Sequence, residues 1–285
     1  MTISDQQKQQ ASAWFHQLRD EIVASFQKLE NNHADGSMAE KPAGTFDVTT
    51  TQRQADDGGD AGGGLMSVLR GGRVFEKVGV NVSTVYGRLS DQAQAAMRAR
   101  PGLSDIADDP RFWASGISLV AHLQNPHCPA VHMNTRMFWT PKAWWFGGGS
   151  DLNPCIEYAE DTAHFHATQK AHLDRHDPAL YPKLKAWADE YFYVPHRKRA
   201  RGVGGIFMDD RCTGDWAADF ALTRILAVRF YPPICLWWKN ICPKLGAKTT
   251  SKPNCATVGF MLNLIWSMTA EQNLVWLQGT IQKRF

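Results

Sequence analysis

The 285-residue sequence lacks the patterns that mark several common classes of protein. It has no apolar run of roughly 18 residues, so we expect no membrane-spanning helix. Residues 1–10 (MTISDQQKQQ) are polar, and no secretion signal is expected there. No glycine-rich dinucleotide fingerprint, Walker loop, Ser-His-Asp signature or internal repeat is present. These absences argue against membrane, secreted, nucleotide-binding and repeat proteins.

Metal-type and disulfide-type cysteine patterns are also missing. The six cysteines, at positions 128, 155, 212, 235, 242 and 255, form no C-x-x-C pair and show no zinc-ligand spacing. Six cysteines in so long a chain are too sparse for a disulfide framework. We therefore expect reduced thiols and a cytoplasmic protein.

Charge is unevenly distributed along the chain, although its net value is only +3. From Ile225 onward there are seven Lys or Arg residues and a single acid, Glu271, while residues 1–224 are net −3. The same last part holds three of the six cysteines and four of the 11 tryptophans. This shift predicts two segments, 1–224 and 225–285.

Periodicity predicts an α+β fold with a large, mostly antiparallel sheet. Apolar residues about four positions apart predict a helix over 5–30, and three further helices are predicted over 91–100, 157–176 and 181–194. Strand-like segments are 45–52, the hairpin 65–87, 116–123, 131–139, the WWF run and 204–210. Strands that cluster in sequence and are flanked by helices are typical of this class.

Residues 144–154, WWFGGGSDLNP, join three bulky aromatics to three glycines. Trp144, Trp145 and Phe146 would offer flat apolar area, and the glycines would let a ligand approach the backbone closely. One interpretation is a wall and a floor for a flat ligand. The other is a buried strand that ends in a loose turn.

The segment VHMNTRMF places His132, Asn134 and Arg136 two residues apart. In a strand these side chains point to the same face, which would combine a proton donor, an amide and a carboxylate-binding cation. Asp151, just after the glycines, either pairs with a cation or N–H group of a ligand or closes an Asx turn.

Histidines and a basic run add further candidates. Eight of the ten histidines lie between positions 122 and 196, which favours a metal or proton-transfer site over purely structural roles for all of them. The run RKRAR (197–201) is either a solvated face or an anion clamp.

Several long segments resemble the oxygen-dependent coproporphyrinogen III oxidases. They are AGGGLMSVLRGGRVFEKVGVNVSTVYG (61–87), GISLVAH (116–122), VHMNTRMF (131–138), WWFGGGSDLNP (144–154), EDTAHFH (160–166) and YFYVPHRKRARGVGGIFMDD (191–210). Their order and spacing match the family across roughly residues 10–224.

The resemblance implies a large antiparallel sheet between helices, in a homodimer. It also implies the oxidative decarboxylation of two propionates of a tetrapyrrole to vinyl groups, with molecular oxygen as co-substrate, CO2 and hydrogen peroxide as products, and no organic cofactor. By matching positions, His132 is the proton donor, Asp151 faces the pyrrole N–H groups, and the substrate contacts are Ser118, Asn134, Thr135 and Arg136. A divalent metal is assigned to His122, His132, His164 and His196.

The resemblance stops after about Arg224, and a shifted reading frame restores it. Codons compatible with residues 257–266 (TVGFMLNLIW), read from the third base, give GRIYVEFNL, which resembles the family's next strand. The same shift over residues 267–282 gives VHDRGTKFGLATGDNT, which resembles the family's DRG motif. We hypothesise that one nucleotide is missing near codon 225. We therefore expect poor folding beyond residue 224 and weak or no activity.

Two other functions are open from the sequence. A catalytically impaired tetrapyrrole-binding remnant would follow from the altered tail. A nucleic-acid binder would use RKRAR together with aromatics, but residues 1–224 are net acidic, so no nucleic-acid partner is expected.

The frame hypothesis predicts a specific DNA sequence. Resequencing the gene should reveal a missing nucleotide near codon 225, and restoring it should produce the strand and DRG motifs downstream. A gene in which no alternative frame encodes those motifs would refute the hypothesis.

Overall fold

The computed structural model describes residues 3–32, 40–55, 57–100 and 102–228. The helices are α1 (Asp5–Asn32), α2 (Asp91–Met97), α3 (Ala159–Leu173), α4 (Leu180–Tyr191) and α5 (Trp216–Val228). The strands are β1 (Asp47–Gln54), β2 (Asp60–Arg70), β3 (Phe75–Arg88), β4 (Arg111–Leu123), β5 (Ala130–Trp139), β6 (Trp144–Asn153), β7 (Tyr193–Val194), β8 (Arg199–Ala200) and β9 (Gly205–Arg211).

One seven-stranded antiparallel sheet organises the described residues. Its order is β1-β2-β3-β4-β5-β6-β9, and β7 pairs separately with β8. The first six strands follow one another in sequence, and α3 and α4 precede the return to β9. The predicted α+β class with a mostly antiparallel sheet is confirmed. No described helix is long and apolar enough to cross a membrane.

Strand alternation divides the sheet into an apolar face and a polar face. Val80, Leu119 and Met133 point to the apolar face, where they join the main core with residues of α1, α3 and α5. The intervening residues, such as Asn81, Ser118 and Asn134, point to the opposite face. Since side chains on a strand alternate, each of these strands supplies both the core and a polar surface.

The predicted aromatic wall is wrong, because Trp144 and Phe146 point to the core face. Phe146 is fully buried against Trp216 and Phe220 of α5, at centroid distances of 6.0 and 5.7 Å. Trp145 does point to the polar face, but it stacks at 4.7 Å on Phe138 in a smaller core cluster. The three glycines are not a loose turn either; they continue β6 as far as Asn153.

The expectation of reduced thiols is wrong for two cysteines. Cys128 and Cys155 are disulfide-bonded, whereas Cys212 is free and exposed. The spacing of the cysteines in the sequence did not indicate these bonds.

The predicted segment boundary lies inside a helix. α5 runs from Trp216 to Val228 and therefore continues past Arg224. Residues 229–285, which include nearly all of the basic segment and the motifs used for the frame hypothesis, lie outside the described residues. The expected loss of folding in that segment stays a prediction.

A buried carboxylate attaches the end of α1 to the sheet. Glu30 has no exposed surface, and its side chain accepts hydrogen bonds from the main-chain N–H groups of Gly44 (3.0 Å), Arg73, Val74 (3.1 Å) and Phe75 (3.1 Å). It thereby supplies acceptors to the turn that leads into β3.

We expect Glu30→Gln to lower the free energy of unfolding by about 2–4 kcal/mol, because an amide nitrogen would replace one acceptor among these donors. Urea unfolding followed by circular dichroism measures the change. Glu21→Gln, at an exposed position on the same helix, is the matched control and should change stability by less than about 0.5 kcal/mol. Equal effects of the two variants would contradict this role for Glu30.

Candidate active site

Pairing between the central strands aligns the predicted site residues in rows across the polar face. His132 of β5 lies between Val120 of β4 and Asp151 of β6. In the next row, Asn134 lies between Ser118 and Gly149, and in the third Arg136 lies between Gly116 and Gly147. The predicted common face of His132, Asn134 and Arg136 is therefore present.

Asp151 connects three polar side chains at one end of this face. Its carboxylate is 3.1 Å from Nδ1 of His132, 2.7 Å from Nη2 of Arg201 and 2.7 Å from Nδ2 of Asn153. An ionised carboxylate favours the His132 tautomer that donates from Nδ1, which leaves Nε2 for the cleft. Asp151 is thus an interior carboxylate rather than the acid of an Asx turn.

The surroundings of Asp151 keep it ionised. Burial by itself would raise the pKa of this carboxyl group, but Arg201, His132 and Asn153 outweigh that effect and hold the pKa well below its usual range. Its residue exposure is only 1%. The carboxylate is therefore a fixed negative charge beside His132 at any pH near neutrality.

A second buried carboxylate holds the other end of the face. Asp209 of β9 accepts a hydrogen bond from Nη2 of Arg136 and another, at 2.6 Å, from Nη2 of Arg100. Nη1 of Arg136 donates to Oδ1 of Asn134 at 2.8 Å. Arg136 is only 3% exposed, and its Nε has no hydrogen-bond partner among the described residues.

Aromatic side chains do border the cleft, but they come from α4 and β9. Tyr191 stacks on Phe207 with centroids 3.9 Å apart, and Phe192 lies 6.3 Å from Phe207. The guanidinium of Arg201 lies 4.3 Å above the ring of Phe192. Burial is the main cause that raises the pKa of Tyr191, and Arg136 and Asp209 also act on it, so this phenol lies close to the charged groups.

The cleft crosses the whole sheet. Its lining extends from Thr51 of β1 to Phe207 of β9 and includes Ser118, His132, Asn134, Arg136 and Asp151. All seven strands of the sheet therefore contribute to the lining. Thr135 is absent from the lining, because alternation turns its side chain to the core face opposite Ile117 and Gly148.

The four histidines assigned to a metal do not come together. The His122 and His132 rings are adjacent, with centroids 5.7 Å apart, and Nε2 of His122 is buried without a hydrogen-bond partner in the described part of the chain. His164 on α3 and His196 in the 3₁₀ turn Pro195–Arg197 are exposed. The described residues contain no group of three or more metal-type ligands, so this donor set does not fit a metal site.

Sequence reasoning missed Asp209, Arg100 and Tyr191, and singled out Arg201 only as part of a basic run. Asp209 follows a short apolar run, GIFM, and a carboxylate at the end of a buried strand was the available signal. Lys198 and Arg199 of the same basic run are exposed, so only Arg201 among these three turns inward to a carboxylate.

Comparison with known proteins gives a consistent family. The family model described as coproporphyrinogen III oxidase matches residues 10–239, fifteen residues beyond the point at which we see the resemblance end. A Rickettsia bellii protein named oxygen-dependent coproporphyrinogen-III oxidase is 48% identical over 213 residues, 75% of this chain and 71% of its own length.

Two further relatives carry the same name. The Rickettsia peacockii protein is 46% identical over 217 residues, 76% of this chain and 72% of its own length. The Rickettsia akari protein is 45% identical over 230 residues, 80% of this chain and 77% of its own length.

Buried His122 predicts a measurable dependence of stability on pH. Burial, followed by the nearby His132 and Lys77, lowers the pKa of His122 from 6.5 to about 3. In the unfolded chain His122 therefore binds a proton as the pH falls below 6.5, whereas in the folded chain it stays neutral until about pH 3.

Stability contributed by neutral His122 should be present above pH 6.5 and fall as the pH drops towards 3, with a slope approaching about 1.4 kcal/mol per pH unit. In urea titrations between these pH values, His122→Asn should lose that part of the slope, whereas His176→Asn, at an exposed position, should retain it. An unchanged slope in His122→Asn would contradict the assignment.

Proposed function

The chain belongs to the coproporphyrinogen III oxidase family, and we propose that its reaction takes place in the cleft on the polar face of the sheet. The enzyme is an oxygen-dependent oxidoreductase of haem synthesis. It converts two propionates of coproporphyrinogen III to vinyl groups and gives protoporphyrinogen IX. One observation carries the location: His132 and Arg136 line the same cleft, with Asp151 beside His132 at 3.1 Å.

The chemistry of the substrate agrees with the groups in this cleft. A porphyrinogen has an apolar macrocycle, four pyrrole N–H groups and carboxylates at its rim. Phe192 and Phe207 supply apolar contact, Asp151 accepts from pyrrole N–H groups, and Arg136 binds a propionate. Ser118 and Asn134, which are paired on the adjacent strands β4 and β5, supply further polar contacts.

His132 acts as the proton donor in this proposal. Each propionate loses CO2 and one hydrogen from the carbon next to the ring, and the two electrons released reduce O2 to hydrogen peroxide. The balance requires one proton per propionate in addition to that hydrogen. The donor is the imidazolium form of His132, in which Asp151 accepts from Nδ1–H and holds the ring, and Nε2–H carries the proton that is delivered.

Two finer expectations, a homodimer and a divalent metal, rest on the resemblance, and the cytoplasmic location rests on the cysteine pattern. We propose a homodimer and a cytoplasmic location, and light scattering of the purified chain tests the first. A divalent metal is not included in the mechanism, because the histidine set does not fit one. Thr135 is not included as a substrate contact, because it does not line the cleft.

Substitution of His132 tests the proposed role. We expect His132→Asn to lower the rate of oxygen uptake with coproporphyrinogen III by about 10²–10⁴-fold, which is the usual contribution of a positioned acid or base. An oxygen electrode and a peroxide assay measure both sides of the reaction. His176→Asn is exposed and should match the parent chain.

The same assay separates the enzyme from an impaired remnant. Oxygen uptake and peroxide release by the parent chain, lost in His132→Asn, support the proposal. Full activity in His132→Asn would exclude this residue as the donor. A parent chain that binds the substrate without consuming oxygen would instead be the remnant expected from an altered tail.

A further inference from the structure

Asp209 contacts two arginines at the end of the cleft where Arg136 lies. Its Oδ1 accepts from Nη2 of Arg136, and its Oδ2 is 2.6 Å from Nη2 of Arg100. Nη1 of Arg100 also donates to the main-chain oxygen of Asp209 at 2.9 Å, so Arg100 makes two hydrogen bonds to this residue. Asp209 is 7% exposed.

The Arg136–Asp209 ion pair crosses over β6 at Gly147. Phe146 pairs with Arg211 and Gly148 with Met208, so β9 has two residues, 209 and 210, where β6 has only Gly147. This bulge brings the Asp209 carboxylate over the glycine. A Cβ atom at position 147 would lie 2.9 Å from Oδ1 of Asp209 and 3.3 Å from Nε of Arg136, so glycine leaves the path open.

Arg136 has one donor group left for a further acceptor such as an anion. Arg136 is 97% buried, yet its Nε–H has no partner among the described residues, which is costly unless a ligand supplies an acceptor. Asn134 and Asp209 fix Nη1 and Nη2, so the planar guanidinium has one orientation in which to present that N–H.

We propose that Asp209 is a positioning residue that, with Arg100 and the bare backbone at Gly147, orients Arg136 to receive one carboxylate of the substrate. This inference rests on the proposed function, because it takes Arg136 as the propionate-binding residue. Asp209 itself does not touch the substrate. Its carboxylate holds Nη2 of Arg136 and so fixes the direction in which the guanidinium presents its Nε–H group.

Binding without turnover tests the role, because it does not depend on catalytic activity. Quenching of tryptophan fluorescence, without oxygen, measures the dissociation constant of coproporphyrinogen III. The dissociation constant of its tetramethyl ester is measured in the same way, and one detergent buffer is used for both ligands. The ester keeps the macrocycle but has no carboxylates. A parent chain that binds the acid more tightly than the ester supports the proposed function, and equal binding would refute it.

Asp209→Asn should weaken binding of the acid about tenfold or more, which corresponds to the loss of one charge-assisted hydrogen bond, and leave ester binding unchanged. Asp210→Asn, at the exposed neighbouring position, is the matched control and should behave as the parent. Arg100→Lys keeps the charge but cannot make both hydrogen bonds to Asp209. It should therefore also weaken binding of the acid, by a smaller factor than Asp209→Asn does.

Gly147→Ala provides an independent test through the backbone. It should raise the dissociation constant of the acid, as Asp209→Asn does. In the double variant the fold-increase in this constant should be smaller than the product of the two single fold-increases, because both changes disturb one ion pair. Urea unfolding checks that each variant folds.

Two results would overturn the inference while leaving the proposed function intact. One is a parental preference for the acid that persists or increases in Asp209→Asn and Arg100→Lys. The other is equal weakening of acid and ester binding, since this would mean that Asp209 only maintains the shape of the cleft.

Discussion

The two-residue period of β5 is the constraint on which the site depends. His132, Asn134 and Arg136 share one face because successive side chains alternate, and Val131, Met133 and Met137 for the same reason enter the core. A slip of one residue would exchange these sets, burying a histidine and an arginine and exposing the apolar residues. Core packing under α1 therefore fixes the register that assembles the cleft.

Two buried aspartates give the polar face its order. Asp151 holds His132 and Arg201, and Asp209 holds Arg136 and Arg100. A buried cation without a counter-charge would be costly, so each aspartate makes the burial of its arginines tolerable and also limits their orientations. The two ends differ chemically: one combines an imidazole with a carboxylate and Arg201, and the other holds the Arg136 guanidinium, whose Nε–H has no partner among the described residues.

Glycines in β6 serve this arrangement in a way that differs from a simple floor for a ligand. Gly147 leaves room for the ion pair that passes over it. Gly149 lies in the Asn134 row and is itself part of the cleft lining. The neighbouring aromatics of the WWF run mostly stabilise the core, and the aromatics that line the cleft are Tyr191, Phe192 and Phe207.

Local patterns predicted the helices near their observed bounds, the hairpin of β2 and β3, and the common face of His132, Asn134 and Arg136, because helical and strand periods are properties of short segments. They did not show that two residues of the WWF run enter the core. Thr135 and the four-histidine set came from the family resemblance; Thr135 turns to the core face, and His164 and His196 lie on elements whose placement no local period determines.

By itself, the sequence determined the fold class, the family and the residues of β5 that face the cleft, since these depend on local periodicity and on long matching segments. Only the tertiary structure decided that Asp209 meets both Arg136 and Arg100, and that Arg201 reaches Asp151. The physical reason is that these contacts join residues separated by 50 to 109 positions, and such distances close only when the sheet forms.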